Sequence, residues 1–245
     1  MLSTAVVCAT AGAIPPPTLN AATRLDESQT HSSELHRRLK AIETATTEVT
    51  DLQADFIQRR HTPLLKRPMV SKGTVVAVGN RMRWDTVSPS KSSMLIGPTS
   101  VELFYPADEL IEVYPVDQGF MDLAGVPMPK LSDLQVRFDI SLLMARDLDP
   151  AADPEQFLAI ELVPKSQDLR DYVTSVKMLI DQHRSLATKV IMTGPDGDRT
   201  EISFSNIQTN TGIDATRTDL SAPEGTRRVR PMGDAIAEMP GEAVR

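Results

Sequence analysis

Four histidines, one cysteine and a scatter of carboxylates are the residues of this 245-residue chain with which chemistry could be done. Metal binding needs such groups in close pairs or at one-turn helical spacing. His31, His36, His61 and His183 are not spaced that way, and Cys8 has no second cysteine for an internal disulfide. Nucleophilic catalysis asks for a serine or cysteine beside a base and near oxyanion donors, and the sequence has no nucleophile elbow, phosphate-cradling loop or histidine-glutamate metal helix. Asp133, Asp139, Asp147 and Asp149 read as carboxylates of a solvated helix face or cap rather than as a paired acid and base. No catalytic residue, metal ligand or cofactor is assigned.

What remains is apolar chemistry. The stretch KGTVVAVGNRMRWDTVSP, residues 72–89, holds the single tryptophan of the chain. Gly79-Asn80 suits a tight hairpin turn, because both residues tolerate positive φ, and the flanking valine-rich runs read as strands. Alternation along a strand puts Met82 and Trp84 on one face and Arg81, Arg83 and Asp85 on the other, which is expected to be wet. Eleven methionines add soft, adaptable side chains, among them Met82, Met94, Met121, Met128, Met144, Met178 and Met192. They fit an ordinary core; they also fit the wall of a cavity for acyl chains, where each buried methylene gains ~0.8 kcal/mol.

The elements that must position these residues follow from periodicity. Leu35, Leu39 and Ile42 recur at helical spacing in SSELHRRLKAIETA, giving an amphipathic helix. Six short alternating segments follow, DLQADFIQ, KGTVVAV, MRWDTV, SSMLIG, SVELFYP and ELIEVYP, in the pattern of an antiparallel meander. A second set comes at EQFLAIELVP, DYVTSVKMLID, SLATKVIMTG and DRTEISFSNIQ, with PDGD as a hairpin turn. Tyr172, Thr174, Val176, Met178 and Ile180 fall on one face against Ser175, Lys177 and Asp181 on a wet one. Between the sets, in residues 118–150, Leu131, Leu134, Phe138, Leu142 and Ala145 recur at helical spacing, so a helical insert is expected. The class is α+β.

The ends differ in composition. MLSTAVVCATAGA ends in small residues like the second half of an export signal, and Ile14 to Ser32 reads as a linker. Cys8 gives a weak alternative, a lipid-anchored form. Beyond Pro223 apolar residues are too few for good packing, and disorder is expected. The domain boundaries are therefore 1–32 for signal-like segment and linker, 33–229 for the folded domain and 230–245 for a disordered tail. A net charge of −7 argues against nucleic acid as a partner. Arg59, Arg60, His61, Lys66 and Arg67 form a local basic cluster, read as a solvated hairpin loop, with contact to anionic headgroups as the alternative.

The order of motifs carries a resemblance. LQADFIQRR after an amphipathic helix, then SKGTVVAVGNRMRWDTVSP, SVELFYPADELIEVYPV, LAIELVPKSQDL, DGDRTEISFSNIQTNTGI and APEGTRRV, resembles the periplasmic lipoprotein-carrier family, LolA and its relatives, from about Leu35 to Val229. The resemblance implies an antiparallel sheet curled into an incomplete, half-open barrel, with the N-terminal helix and a helical lid insert over an apolar cavity. It implies cavity contacts by Phe56, Met82, Trp84, Met94 and Leu103 from the first strands. Phe120, Met121, Leu134 and Phe138 would come from the insert, and Met178 and Ile180 from the second set. It further implies an exported, periplasmic, monomeric carrier of lipoprotein acyl chains or other lipid, served by an inner-membrane donor complex and an outer-membrane acceptor. One departure stands out: where the family has an arginine and a proline before the tryptophan strand, this chain has Val78 and Gly79. The alternative function is a regulatory or scaffold protein of the same fold that binds a protein partner.

Overall fold

The computed structural model describes residues 21–115 and 131–231. The signal-like stretch and the first part of the linker, together residues 1–20, and most of the tail assigned to 230–245 lie outside the described residues. The chain divides into two units, Met1–Arg37 and Arg38–Arg245. Helix α1 spans Ala21–Thr46, so it starts earlier than its apolar spacing marks and takes up part of the expected linker. Ala21, Ala22, Leu25, Glu27 and Gln29 are good helix formers, and no proline follows Pro17 until Pro63. Within the second unit, Leu39 and Ile42 of α1 are buried core residues.

The rest of the second unit is built on strands: β1 (Asp51–His61), β2 (Met69–Val78), β3 (Arg81–Ser88), β4 (Ser92–Ile96), β5 (Ser100–Tyr105) and β6 (Leu110–Pro115). After the insert come β7 (Phe138–Leu143), β8 (Phe157–Pro164), β9 (Ser175–Asp181), β10 (Leu186–Thr193), β11 (Arg199–Thr209) and β12 (Arg227–Val229). Among the described residues three short helices accompany the strands: α2 (Leu131–Arg137), α3 (Ala145–Leu148) and α4 (Gln167–Arg170). The twelve strands of the described residues belong to one sheet in the order β12-β6-β5-β4-β3-β2-β1-β11-β10-β9-β8-β7. Neighbours are antiparallel except β12, which runs parallel to β6. The sheet is not closed, because β12 and β7 end it, and the architecture is the expected α+β open barrel.

Turn chemistry sets the register. Val78 pairs with Arg81 across a two-residue turn in which Gly79 takes φ +57° and Asn80 does not turn positive. In the PDGD turn Gly197 has φ +79°, and the Gly194 N–H donates to the Asp198 carbonyl at 2.8 Å.

Three expectations need correction. The insert helix ends at Arg137, and Phe138–Leu143 continues as β7, paired residue by residue with β8 from Phe138↔Pro164 to Leu143↔Ala159. Leu134, Phe138 and Leu142 fit a helical repeat, but Phe138, Ile140 and Leu142 also alternate, and pairing with an available sheet edge decides between the two. The tail beyond Pro223 is ordered as far as a strand, because Arg227–Val229 borrows β6 for its backbone hydrogen bonds instead of relying on its own apolar content. Tyr172 and Thr174 precede β9, and Tyr172 stands 81% exposed.

The face expected to be wet is covered in two places. Over β8–β10, Ala145, Leu148 and Ala152 pack on Ala159, Leu179 and Ile191 as a small second core. Lys189 ties down its rim, donating from Nζ to the Leu148 carbonyl at 3.0 Å and to Asp149 Oδ2 at 3.1 Å. Over β1–β3, the chain after β11 returns as a strap. Thr211 and Gly212 donate their N–H groups to the Asp51 carboxylate at 2.9 and 3.1 Å. A 3-10 turn, Ala215–Thr218, then packs on β2 and β3. Arg81 donates to Asp219 Oδ1 at 2.7 Å and Arg83 to the Asp219 carbonyl at 2.6 Å.

Candidate functional site

Cross-strand partners share a face, so the register traces which side chains line the sheet together. From Ala54 the row runs through Val75, Trp84, Met94 and Leu103 to Glu112. Next to it, Leu52, Ala77, Met82, Ile96 and Val101 lead to Tyr114. In the other direction Gln58 is followed by Ile202, Val190, Met178, Ile160 and Leu142. Ile180 lies between Leu158 and Ala187. One apolar face therefore crosses ten strands, from β5 to β7, and the sequence-assigned Phe56, Met82, Trp84, Met94, Leu103, Met178 and Ile180 all stand on it.

At the centre of this face are three rings. Trp84 meets Phe56 edge-on, with centroids 5.0 Å apart and planes at 61°, and Phe204 at 5.7 Å and 57°. Gly73 is what lets them meet. It pairs with Phe56, and a Cβ there would overlap the Asp85 carbonyl oxygen and lie 2.9 Å from Phe56 Cε1. The β2–β3 register also slips at Lys72/Gly73, which brings Asp85 close to that glycine. The one polar atom of Trp84, Nε1, donates to Met82 Sδ at 3.1 Å, so the indole needs no water. Phe204 and Gly73 were not among the residues singled out from sequence. The alternation in EISFSN could have marked Phe204; only the register marks Gly73.

The two residues assigned to the insert that the structure describes differ in the element that carries them. Leu134 of α2 is fully buried, and Phe138, at the start of β7, is nearly so. Phe138 projects from the sheet's own edge strand, so these two residues are not a single helical pair. Met94 and Leu103 are half-buried, in contrast to the sealed centre. Phe120 and Met121 lie outside the described residues.

The apolar rows finish in a polar margin on β5 and β6. Tyr114 Oη donates to Glu112 Oε2 at 3.0 Å, and this bond, then burial and the carboxylate's charge, push the Tyr114 phenol up. Burial, followed by the charge of Glu112, does the same for Tyr105. A cavity of about 610 Å³ lies at the β7–β8 end, with Leu142, Met144, Ala145, Phe157 and Leu158 in its wall and Arg38, Arg146 and Asp147 around them. Among the described residues no three His, Cys, Asp or Glu side chains gather as a metal-ligand set. No described helix is long and apolar enough to cross a membrane.

The arrangement offers apolar surface with polar margins, suited to an amphiphile. No curated protein matches the sequence. The fold is similar to an uncharacterized conserved protein from Thermus thermophilus, at 12% identity and TM-score 0.49, covering 80% of this chain and 99% of that one. It is similar to a LolA superfamily protein from Nitrosomonas europaea, at 13% identity and TM-score 0.39, over 74% and 96% of the two chains. It is also similar to the Mycobacterium tuberculosis lipoprotein LppX, at 8% identity and TM-score 0.45, over 74% and 98%. A family model described as outer membrane lipoprotein carrier protein LolA matches residues 47–217, which span β1 through the 3-10 turn of the strap. With the greater part of its length so matched, the chain belongs to the LolA family of outer membrane lipoprotein carriers, as a divergent member.

Proposed function

We propose that this protein is an exported, non-enzymatic carrier that takes the acyl chains of lipoproteins or other amphiphiles against the apolar face and moves them across the periplasm to the outer membrane. The observation that supports it best is the continuity of that face. One open sheet presents a single apolar surface from Leu103 to Leu142, centred on Phe56, Trp84 and Phe204. An ordinary core would use such a face as well; membership of the carrier family weights the reading toward a ligand.

The energetics suit loading and release. An acyl chain gains ~0.8 kcal/mol per buried methylene, but to reach the buried Trp84 it must displace the side chains that already cover the face. Net affinity is then a difference between two apolar contacts of similar kind. A small bias at the donor or acceptor is enough to reverse it, as a carrier requires. Met82, Met94 and Met178 can adjust to chains of different shape.

The test is purification from a native envelope followed by mass spectrometry of what stays bound. Lipid or lipoprotein at near-stoichiometric amount supports a carrier. A stoichiometric protein with no lipid would instead favour the partner-binding reading of the fold.

A further inference from the structure

The β1–β2 hairpin has properties that a ligand on the apolar face would not require. Its β2 strand outruns β3: the last β2–β3 pair is Lys72↔Ser88, while Val70 and Met69 still pair with Arg59 and Arg60 of β1. The tip, TPLLKRP, is held between Pro63 and Pro68, and the Leu65 N–H donates to the Thr62 carbonyl at 3.1 Å. Leu64 there is 91% exposed, Leu65 49%, Met69 47% and Val70 40%. A single exposed leucine is ordinary; four large apolar side chains within residues 64–70 form a patch.

Charge says what the patch fits. Residues 59–72 hold Arg59, Arg60, Lys66, Arg67 and Lys72 and no carboxylate, in a chain whose net charge is −7. Asp198 of the neighbouring turn takes Arg60 at 2.9 Å, and Asp196 stands exposed beside it. Lys66 and Arg67 are exposed and make no ion pair among the described residues. We propose that this tip is a contact site for an anionic lipid bilayer. Leu64 and Leu65 enter the boundary between headgroups and acyl chains, and Lys66 and Arg67 pair with lipid phosphates. Arg59 and Lys72 add attraction at longer range.

A bilayer fits better than a protein partner. Met69 shares a face with Arg60 and Val70 shares the opposite face with Arg59, so the apolar side chains project on both sides of the hairpin end. A fluid interface can surround such a tip, whereas a protein surface would meet one side of it. The negative charge of the rest of the chain disfavours other orientations on an anionic surface, leaving the tip to lead.

The experiment is flotation of the full chain with vesicles of phosphatidylethanolamine and phosphatidylglycerol, and in parallel with phosphatidylcholine vesicles. The protein should float with the anionic vesicles, less so with phosphatidylcholine, and lose binding as salt rises. Leu64→Ser with Leu65→Ser, and separately Lys66→Ala with Arg67→Ala, should each weaken binding on the order of tenfold or more. Circular dichroism and binding of a soluble fluorescent fatty acid should stay as in the parent, which separates failure of this site from failure of the carrier reading. Absence of flotation with anionic vesicles overturns the proposal. So does flotation undiminished in either double variant, or loss of vesicle binding in favour of an acidic protein.

Discussion

Trp84 shows what single residues disclose before a structure is known. Strand alternation was enough to put Met82 and Trp84 on one face, and they are on one face with the Nε1 proton given to Met82 Sδ. The partners Phe56 and Phe204 are fixed by register instead, since Phe56 sits on β1 and Phe204 on β11, far apart in sequence and directly paired. Gly73 is the least legible of the set; in sequence it is a weak point in a valine-rich strand, and in the sheet it is the gap into which Phe56 fits. Gly73→Ala should therefore cost roughly 1–3 kcal/mol through overpacking against Asp85 and Phe56, read as a lower urea midpoint. A midpoint equal to the parent's would mean that β2 can shift to make room. For Trp84, which is 8% exposed, emission should already be blue-shifted and poorly quenched in ligand-free protein. An acyl ligand should then change it by displacing the ring's neighbours, and saturation by a verified ligand with no spectral change would remove Trp84 from the contact surface.

Between residue and sheet, the element most misread is the insert. Ten strands were legible from alternation and turn residues, because hairpins are local and their punctuation is in the sequence. β7 was hidden because FDISLL satisfies both periods, and β12 because three residues carry no period at all. The cover over β8–β10 was hidden for another reason: Ala145, Leu148 and Ala152 are small or isolated, and become a core only when Leu179 and Ile191 lie beneath them. The revised insert separates two roles that helical spacing had merged. Leu134 belongs to a seven-residue helix, and Phe138 to a strand. Leu134→Ser should leave the sheet folded by circular dichroism and raise the exchange rate of a bound fluorescent fatty acid, if α2 acts as a lid. Phe138→Ser should act on the sheet itself, with a loss of about 3 kcal/mol or more, as for other buried phenylalanine truncations. Equal effects of both substitutions on stability and on exchange would return Leu134 to the main core.

At the scale of the whole second unit, the strap from Asn210 to Thr226 links the middle of the sheet to one of its ends, two places that sequence treats as unrelated. It leaves β11 beside β1 and ends as β12 beside β6, and its polar ties span separations that no local pattern announces. Its first tie is Asp51. Burial pushes that carboxyl up, but the N–H groups of Thr211 and Gly212, with the hydroxyls of Thr211 and Thr50, outweigh burial and hold it below its ordinary value. A carboxylate depressed in the folded state adds stability that is fully present above its unfolded pKa and is lost as pH falls through the lower, folded one. Asp214, held down by the hydroxyl and then the N–H of Thr216, and Asp198, held down first by Arg60, change in the same direction. Acid should therefore loosen the strap, with amides of residues 210–226 gaining hydrogen exchange before those of β1 and β11. Asp51→Asn keeps one acceptor oxygen but removes the charge. The variant should be less stable than the parent at neutral pH, and the two should converge as pH drops below the ordinary carboxylate range. Denaturant midpoints measured across that range decide the matter: a constant difference between the two proteins at every pH would mean that Asp51 holds the strap by shape alone and that its ionisation contributes nothing.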